Sequence, residues 1–560
     1  KMEEKKAEAK WILEACRSRL EHSLGDDAVR IQAQYQWDDL VLPAFQKKML
    51  QDACDQVMCH HQVYHQWKFE EKIAYGRGVS MIFYGPPGTG KTTVANIIAK
   101  KAGKRFYKLN ATNASLKDIQ DITKELDTFL GINGVVLYLD EIQNFNKKQQ
   151  QSLLEYIEDG TITNIQSSGV RGKIGEAISH GKLKGLAIMR SHGGRVRALA
   201  TGETQIDIAF IGTPTCDEYG NCRGIGGKSD CGVLSYAMSD AFHANKVVAI
   251  TDCMVPFPNF PAHISMTKVD YVVEVDQIGD PKKIATGAAK PTTDMRKLMM
   301  ADYCTQFVVN TPYFKDGFSY QTGVGGASIA STISLAKVMK ERNIRMRFGV
   351  GGLTKPMCDL LINGQVDALL DTQDFDLAAV ESVKDLHHFR ISAGEYANPF
   401  NKGAVVNKLD FVILAALEVD VHFNCNVVVD SNGMITGAQG GHPDTAAGAK
   451  CAIVIAPLLQ GRTPAICTDV TTVTTPGESV DVVITDYGIA INPKRQDLIE
   501  AMKDVDLPFK TIEELRDIAY SIAGEPQKVQ FGDRVVGVIE SRDGTIMDVV
   551  RQIKPFEFDD

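Results

Sequence analysis

The chain has 560 residues, more than one hydrophobic core organises, so about two to four domains are expected. Its 44% hydrophobic and 23% charged content is ordinary for a soluble globular protein, and a net charge of −9 argues against a nucleic-acid binder held by phosphate neutralisation. No apolar run reaches the length of a membrane span; CAIVIAPLL and FVILAALEV read as buried strands.

The opening KMEEKKAEAK has no apolar stretch of the secretory type, and its start at Lys1 hints at a fragment or a non-natural start. The 12 cysteines are scattered without CxxC pairs, which fits a reducing cytoplasm. A ligand-like cluster, CHHQVYH, holds Cys59, His60, His61 and His65. His61 and His65 share a helical face at metal-binding spacing, but no second ligand pair follows, so a His-rich polar helix face is the better reading.

VSMIFYGPPGTGKTT is an apolar strand, a glycine turn and the start of a helix. Gly85, Gly88 and Gly90 let backbone N–H groups converge on phosphate oxygens at that helix start. Lys91 would reach the outer phosphates of ATP, and Thr92 would hold Mg²⁺. Downstream, GVVLYLDEIQNF is a buried strand delivering Asp140 for Mg²⁺ and Glu141 for water activation; two N-cap acids are the plainer alternative. Phe106 to Thr163, with DEIQNFNKKQQQSLLEYIEDGTIT, resembles the replication-associated recombination protein A group of AAA+ ATPases. That group implies Mg-ATP at this P-loop. Beyond Asn164 no sensor residue, arginine finger or helical lid is legible, so ATP binding is expected without coupled hydrolysis.

From about Ile165, apolar strand runs alternate with amphipathic helical stretches, the pattern of parallel α/β architecture. The pattern repeats. IDIAFIGTPTCDEYGN aligns with LDFVILAALEVDVHFN, matching Asp207 to Asp410, Asp217 to Asp420 and Asn221 to Asn424. Glycine turns follow in each half, GIGGKSD ending at Asp230 and GAQGGHPD ending at Asp444. YIEDGTITNIQSSG likewise resembles LLINGQVDALLDTQD. The second half carries an opening segment, Asp316 to Thr354, that has no counterpart of its own type in the first. Two pseudo-repeated lobes with a ligand cleft between them are therefore expected.

The stretches SSGVRGKIGEAIS, RSHGGRVRA, CDEYGN, GIGGKSDCGVLSYAM, QTGVGGAS, GGHPDTAAGA and DVVRQIKPF recur in order as in the citrate lyase alpha subunit, so Gly169 to the C-terminus resembles that family. The resemblance implies two open α/β lobes of the CoA-transferase type. The expected organisation is a helical segment over 1–80, a partial P-loop AAA+ core over 81–163, an N-terminally incomplete first lobe over 164–315 and a second lobe over 316–560. It implies exchange of acetyl for citrate on a thioester, releasing acetate. The thioester would be on a CoA-like arm of the dephospho-CoA type carried by a gamma (acyl carrier) subunit, or on free CoA; a beta subunit would cleave the product. A cytoplasmic oligomeric complex, with no membrane or nucleic-acid partner, goes with this reading.

Such a site must orient two acids and a thioester, stabilise oxyanions and exclude water. Gly323, Gly325 and Gly326 in QTGVGGA, and Gly440 and Gly441 in GAQGGHPD, offer outward N–H groups beside helix starts. Gly226, Gly227 and Lys228 form the partner loop of the first lobe, expected to bind citrate or the nucleotide end of the arm. His442 would orient a carboxylate, unless it is a structural loop histidine; Asp444 would fix the loop, unless it simply caps a helix. Many CoA-transferases use a glutamate nucleophile in a Ser-Glu-Asn-Gly stretch, whereas DSNG here places Ser431 at that position. Glu418 is the remaining nearby carboxylate. Two other readings stay open: an AAA+ remodelling or DNA-processing ATPase with an appended domain, and a chimeric chain with neither full activity.

Overall fold

The computed structural model describes residues 105–110 and 135–140, Leu154, Ile157, 162–284 and 292–554. Chain contacts divide the protein into two compact units, Lys1–Thr161 and Ile162–Asp560. In the first unit, strands Arg105–Asn110 and Val135–Asp140 pair in parallel, with Asn110 opposite Asp140. The predicted strand carrying Asp140 is thus present. The P-loop residues Gly85, Gly88, Gly90, Lys91 and Thr92, together with Glu141 and the histidine cluster, lie outside the described residues.

The second unit is built around an eight-stranded sheet in the order His388–Arg390, Leu369–Asp374, Met346–Leu353, Phe318–Thr322, Phe411–Ala415, Cys451–Ile455, Val482–Thr485, Gly488–Ile491. The first seven run parallel, and the last turns back antiparallel. Central strands such as CAIVI are buried along their whole length, as a parallel sheet covered on both faces requires. Alternation divides their side chains between two cores. Phe411, Ile413, Ile453 and Ile484 enter one, beneath helices Met295–Asn310 and Gly326–Arg342. Val412, Leu414, Val454 and Val483 enter the other, with Tyr396, Val406 and Leu515.

Besides the two-stranded pair Thr215–Cys216 and Cys222–Arg223, two smaller sheets use strands from before Asp316. One contains the parallel strands Ile208–Thr213, Lys246–Thr251 and Tyr271–Glu274. The other joins Ile165–Ser167 and Ala187–Arg190 to the C-terminal hairpin Phe531–Glu540 and Ile546–Ile553. There a buried ion cluster forms, with Glu540 accepting from Arg190 Nε at 3.0 Å and from Arg197 Nη2 at 2.6 Å.

The aligned stretches carry the same fastenings. Asp217 accepts from the Asn221 backbone and side-chain amides at 2.9 and 2.8 Å; Asp420 accepts from those of Asn424 at 2.9 and 3.0 Å. Asn221 Oδ1 then receives the Met266 N–H, and Asn424 Oδ1 the Gly477 N–H, each at the start of a 3₁₀ turn. Gly220 and Phe423 occupy the same turn position, both with positive φ, at 99° and 65°. Only glycine adopts such a backbone without strain, so Phe423 is held there by its surroundings.

The parallel pair Ile165–Ser167 and Ala187–Arg190 resembles Leu369–Asp374 and His388–Arg390, each followed by a helix with a serine N-cap, Ser191 or Ser392. Among the described residues before Asp316, no strands match Met346–Leu353 and Phe318–Thr322, the two that join these groups into one sheet in the second half. No helix among the described residues is long and apolar enough to cross a membrane.

Candidate functional site

The carboxyl ends of the parallel strands form one edge of the large sheet, where open α/β folds hold ligands. Gln321 stands near the end of Phe318–Thr322, and Gly323, Gly325 and Gly326 follow it into helix Gly326–Arg342. Gly325 caps that helix without a side-chain hydrogen bond, so no side chain supplies a cap acceptor for its first turn. Gln321 Nε2 donates to the Tyr396 hydroxyl at 2.7 Å.

Two glycine turns from opposite halves are joined beside Tyr396. His192 N–H donates to the Gly440 carbonyl at 2.9 Å. Asp444, fully buried, accepts from the Ser191 hydroxyl at 2.7 Å and the Gly193 N–H at 2.9 Å. Gly193 allows this closeness: a Cβ there would lie 2.2 Å from the Ala397 carbonyl oxygen. Gly440 takes φ of 56°, and a Cβ on Gly441 would meet the Tyr396 hydroxyl at 2.8 Å. The His192 ring stands edge-on to Tyr236 at 5.3 Å.

The electrostatics of this junction follow from burial. Loss of water pushes His192 down to about 4, helped by Arg195. His442 is likewise pushed down to about 4 by burial, with the Ala415 backbone pulling the other way. Both rings are neutral at neutral pH. Burial raises Asp444 to about 6, against the hydrogen bonds from Gly193 and Ser191. His442 Nδ1 meets the Thr475 hydroxyl at 2.8 Å, while His442 Nε2, Gln321 Oε1 and Gln439 Oε1 are buried without hydrogen-bond partners. Native structures keep such atoms rare.

Gly440, Gly441, His442 and Asp444 therefore share one junction with Gln321, through Tyr396. The loop of Gly226, Gly227 and Lys228 is elsewhere on the same edge. Gly226 has φ of 96°, Gly227 N–H bonds Asp230 at 2.8 Å, and exposed Lys228 donates to the Asp276 carbonyl. Its continuation touches the end of Leu369–Asp374, where Val233 N–H donates to Asp374 at 2.8 Å. The expected match of Asp230 with Asp444 is corrected by the helix ends. Ala244 N–H bonds Asp240, and Ala449 N–H bonds Thr445, so Ser239 occupies the place of Asp444. Glycine-turn resemblance misled here because the two connecting loops differ in length.

Glu418 sits on strand Glu418–Asp420, where its carboxylate accepts from Asn426 Nδ2 at 2.8 Å, Thr471 N–H at 2.8 Å and Thr471 Oγ at 3.0 Å. Ser431 lies at the tip of a tight turn closed by Asp430, which accepts from Asn432 and Met434 N–H groups.

Sequence reasoning missed Ser191, His192, Gln321, Tyr396 and Gln439. The signal for the first two was available in RSHGGRVRA, a glycine turn at a strand end. It also missed Asp371, Asp374 and His388, whose donor atoms lie within 4.8 Å of one another. His388 Nε2 is 3.0 Å from Asp371, and burial pushes Asp371 up to about 7 and Asp374 well above the usual carboxylate range. The set has the donors for a cation, and burial disfavours the charge on both carboxyls.

The family model for the citrate lyase alpha subunit matches residues 137–553. This chain belongs to that family. The citrate lyase alpha chain of Klebsiella pneumoniae is 49% identical over 403 residues, 72% of this chain and 79% of that one. A crystal structure of the citrate lyase alpha subunit from Streptococcus mutans, in complex with citrate, is similar with a TM-score of 0.69 and 47% identity, covering 77% of this chain and 84% of that one. A second family model, the AAA ATPases, matches residues 81–178. There the replication-associated recombination protein A of Coxiella burnetii is 46% identical over 93 residues, 17% of this chain and 21% of that protein. Citrate lyase alpha sequence is thus joined to a short AAA-related segment.

Proposed function

We infer that this chain is an acyl transferase of the citrate lyase alpha type, working within a citrate lyase complex, and that its chemistry takes place at the junction of the Ser191–Gly194 and Gly440–Asp444 turns. The reaction exchanges acetyl for citrate: the acetyl–sulfur bond breaks, a citryl–sulfur bond forms, and acetate leaves with an oxygen from citrate. Charge balances without net proton uptake. Two histidines held neutral suit such a reaction, since it asks for oxyanion donors and exclusion of water more than for proton shuttling.

The observation that carries this reading is the pair of buried amide oxygens without partners, Gln321 Oε1 and Gln439 Oε1, in the junction that also holds His442. When the Thr475 hydroxyl donates to Nδ1, Nε2 carries the ring proton, and a substrate oxygen would compete for it with the Ala415 carbonyl. The glutamine oxygens can accept from the citrate hydroxyl. Ser191, Gly193 and Asp444 act as positioning groups that hold the two turns together. Gly323, Gly325 and Gly326 present the start of a 17-residue helix to carboxylate or thioester oxygens. CoA-type acyl-carrier chemistry goes with the family; we take the carrier as a dephospho-CoA type arm on a gamma subunit, with a beta subunit as lyase, in the cytoplasm. The division into lobes over 164–315 and 316–560 is part of the same reading.

The test is a citrate-dependent acyl-exchange assay with acetyl-CoA, run with and without ATP. Exchange that is independent of ATP is expected. Absence of exchange, with ATP hydrolysis present, would favour the second reading, an ATPase built on the AAA-related segment. An interrupted gene in a long DNA read across the locus would favour an artificial join.

A further inference from the structure

Arg223 and Arg390 come from opposite halves of Ile162–Asp560 and meet over one loop at the strand-end edge. Arg223 ends the short strand Cys222–Arg223, and Arg390 ends His388–Arg390. Arg223 Nη1 reaches the Phe260 carbonyl at 3.5 Å, and Arg390 Nη2 donates to the Ala262 carbonyl at 2.7 Å. The next residue, buried His263, accepts from the Gly224 N–H at 3.3 Å.

These two guanidiniums lack counter-ions. Other buried arginines in this unit are paired, Arg190 and Arg197 with Glu540, and Arg495 with Asp481. Among the described residues neither Arg223 nor Arg390 has an ion-pair partner, and the Nε of each is buried without an acceptor. Glu395, whose charge favours Arg390, is occupied by the Ser392 N–H in its own helix cap. The two cations act on their surroundings: with burial they hold His263 down to about 3, and Arg223 disfavours the charge on Arg390. Two half-buried like charges destabilise one another until an anion arrives. Beside them Tyr219, Phe257 and Phe260 form an exposed edge-to-face row, with ring centroids 5.1 and 6.3 Å apart.

We propose that Arg223 and Arg390 form an anion subsite at the strand-end edge, taking a carboxylate or phosphate group of a bound reactant through their guanidinium N–H groups. A guanidinium fork suits either oxyanion. The two sources are a carboxylate of citrate and the phosphates of the CoA-type arm. The subsite rests on the transferase reading for the choice of these ligands alone.

The experiment uses the full chain carrying Lys91→Ala, which removes nucleotide binding at the P-loop, with and without Arg223→Gln or Arg390→Gln, titrated calorimetrically with citrate and separately with ADP as a phosphate probe. Charged hydrogen bonds of this kind predict about tenfold to hundredfold weaker binding of one ligand in both variants. Loss of citrate binding assigns a carboxylate, and loss of ADP binding assigns a phosphate. Without ligand, both variants should melt no lower than the unsubstituted chain, because one of two like charges is gone. Should the glutamine variants fail to fold, Arg223→Lys and Arg390→Lys keep the charge and lose the fork, and the same ligand should weaken. Unchanged affinities in all variants, or an unsubstituted chain that binds neither probe, would overturn the subsite. A chain that binds through these arginines but exchanges no acyl group would overturn the transferase reading and leave the subsite standing.

Discussion

The Ser191 hydroxyl donates to the Asp444 carboxylate at 2.7 Å, and with the Gly193 N–H on the same carboxylate it ties the helix starts of the two halves together. Ser191 also receives the Gly194 N–H at 3.1 Å as N-cap of its own helix, so Asp444 fixes a turn already folded on itself. Replacing Asp444 with Ala strands the buried Ser191 hydroxyl and Gly193 N–H, and should cost about 2–4 kcal/mol, read as a lower urea midpoint.

Asp444 also sets a pH dependence. Its pKa of about 6 in the folded chain lies above the ordinary unfolded value of about 3.9, so the folded state holds a proton that the unfolded state releases. The stability this group contributes is complete below about pH 4 and is lost as pH rises through 6, about 3 kcal/mol in all. Asp444→Asn should flatten that part of the stability curve. An unchanged slope between pH 4 and 7 would refute the assignment.

Glu540 is shared by two buried arginines, and removing it leaves both without their buried partner. Glu540→Gln should destabilise the Ile162–Asp560 unit by about 3–5 kcal/mol. Glu203, which pairs with the same arginines from a more exposed position, should cost less than 1 kcal/mol or so when replaced with Gln. Equal losses at the two positions would contradict this ranking.

Because burial holds His192 and His442 near 4, citrate-dependent exchange should be flat from pH 5.5 to 8 in any step they govern. His442→Ala should lower kcat about 100-fold, and Thr475→Val, which frees the ring to rotate, about 10-fold. A kcat that rises or falls with an apparent pKa near 6.5, and loses that dependence in His442→Ala, would show a proton-shuttling histidine instead.

Glu418 already accepts three hydrogen bonds, two on one oxygen and one on the other. Glu418→Gln should keep exchange within about threefold while losing about 1–2 kcal/mol of stability, since an amide then faces the Thr471 and Asn426 donors. Trapping a thioester on Glu418 with borohydride or hydroxylamine would make it the nucleophile.

The AAA-related segment should be dispensable for exchange. Lys91→Ala is expected to abolish ATP binding and leave citrate-dependent exchange unchanged; a joint loss of both would tie the nucleotide pocket to the transferase.

The parallel architecture and the repeat were legible because their causes are local. A run such as CAIVI is apolar at every position since both sheet faces are covered, and Asp217 and Asp420 each fasten an asparagine four residues on. The family resemblance carried the activity. The opening segment over Asp316 to Thr354 was legible as strand, glycine turn, helix and strand, and it folds as Phe318–Thr322, a helix and Met346–Leu353; no such pair of strands is found among the described residues before Asp316.

What the amino-acid order determined by itself was which segments become strands, helices and tight turns, since hydrophobic period and turn chemistry act over a few residues. Which turns meet was decided only by the tertiary structure. Ser191 and Asp444 are brought together across 253 positions, Gln321 and Tyr396 across 75, and Arg223 finds Arg390 over a third loop. Strand order in the sheet sets those meetings. The burial they create then strips water from His192, His442 and Asp444, so the charge states of the site follow from the assembled fold.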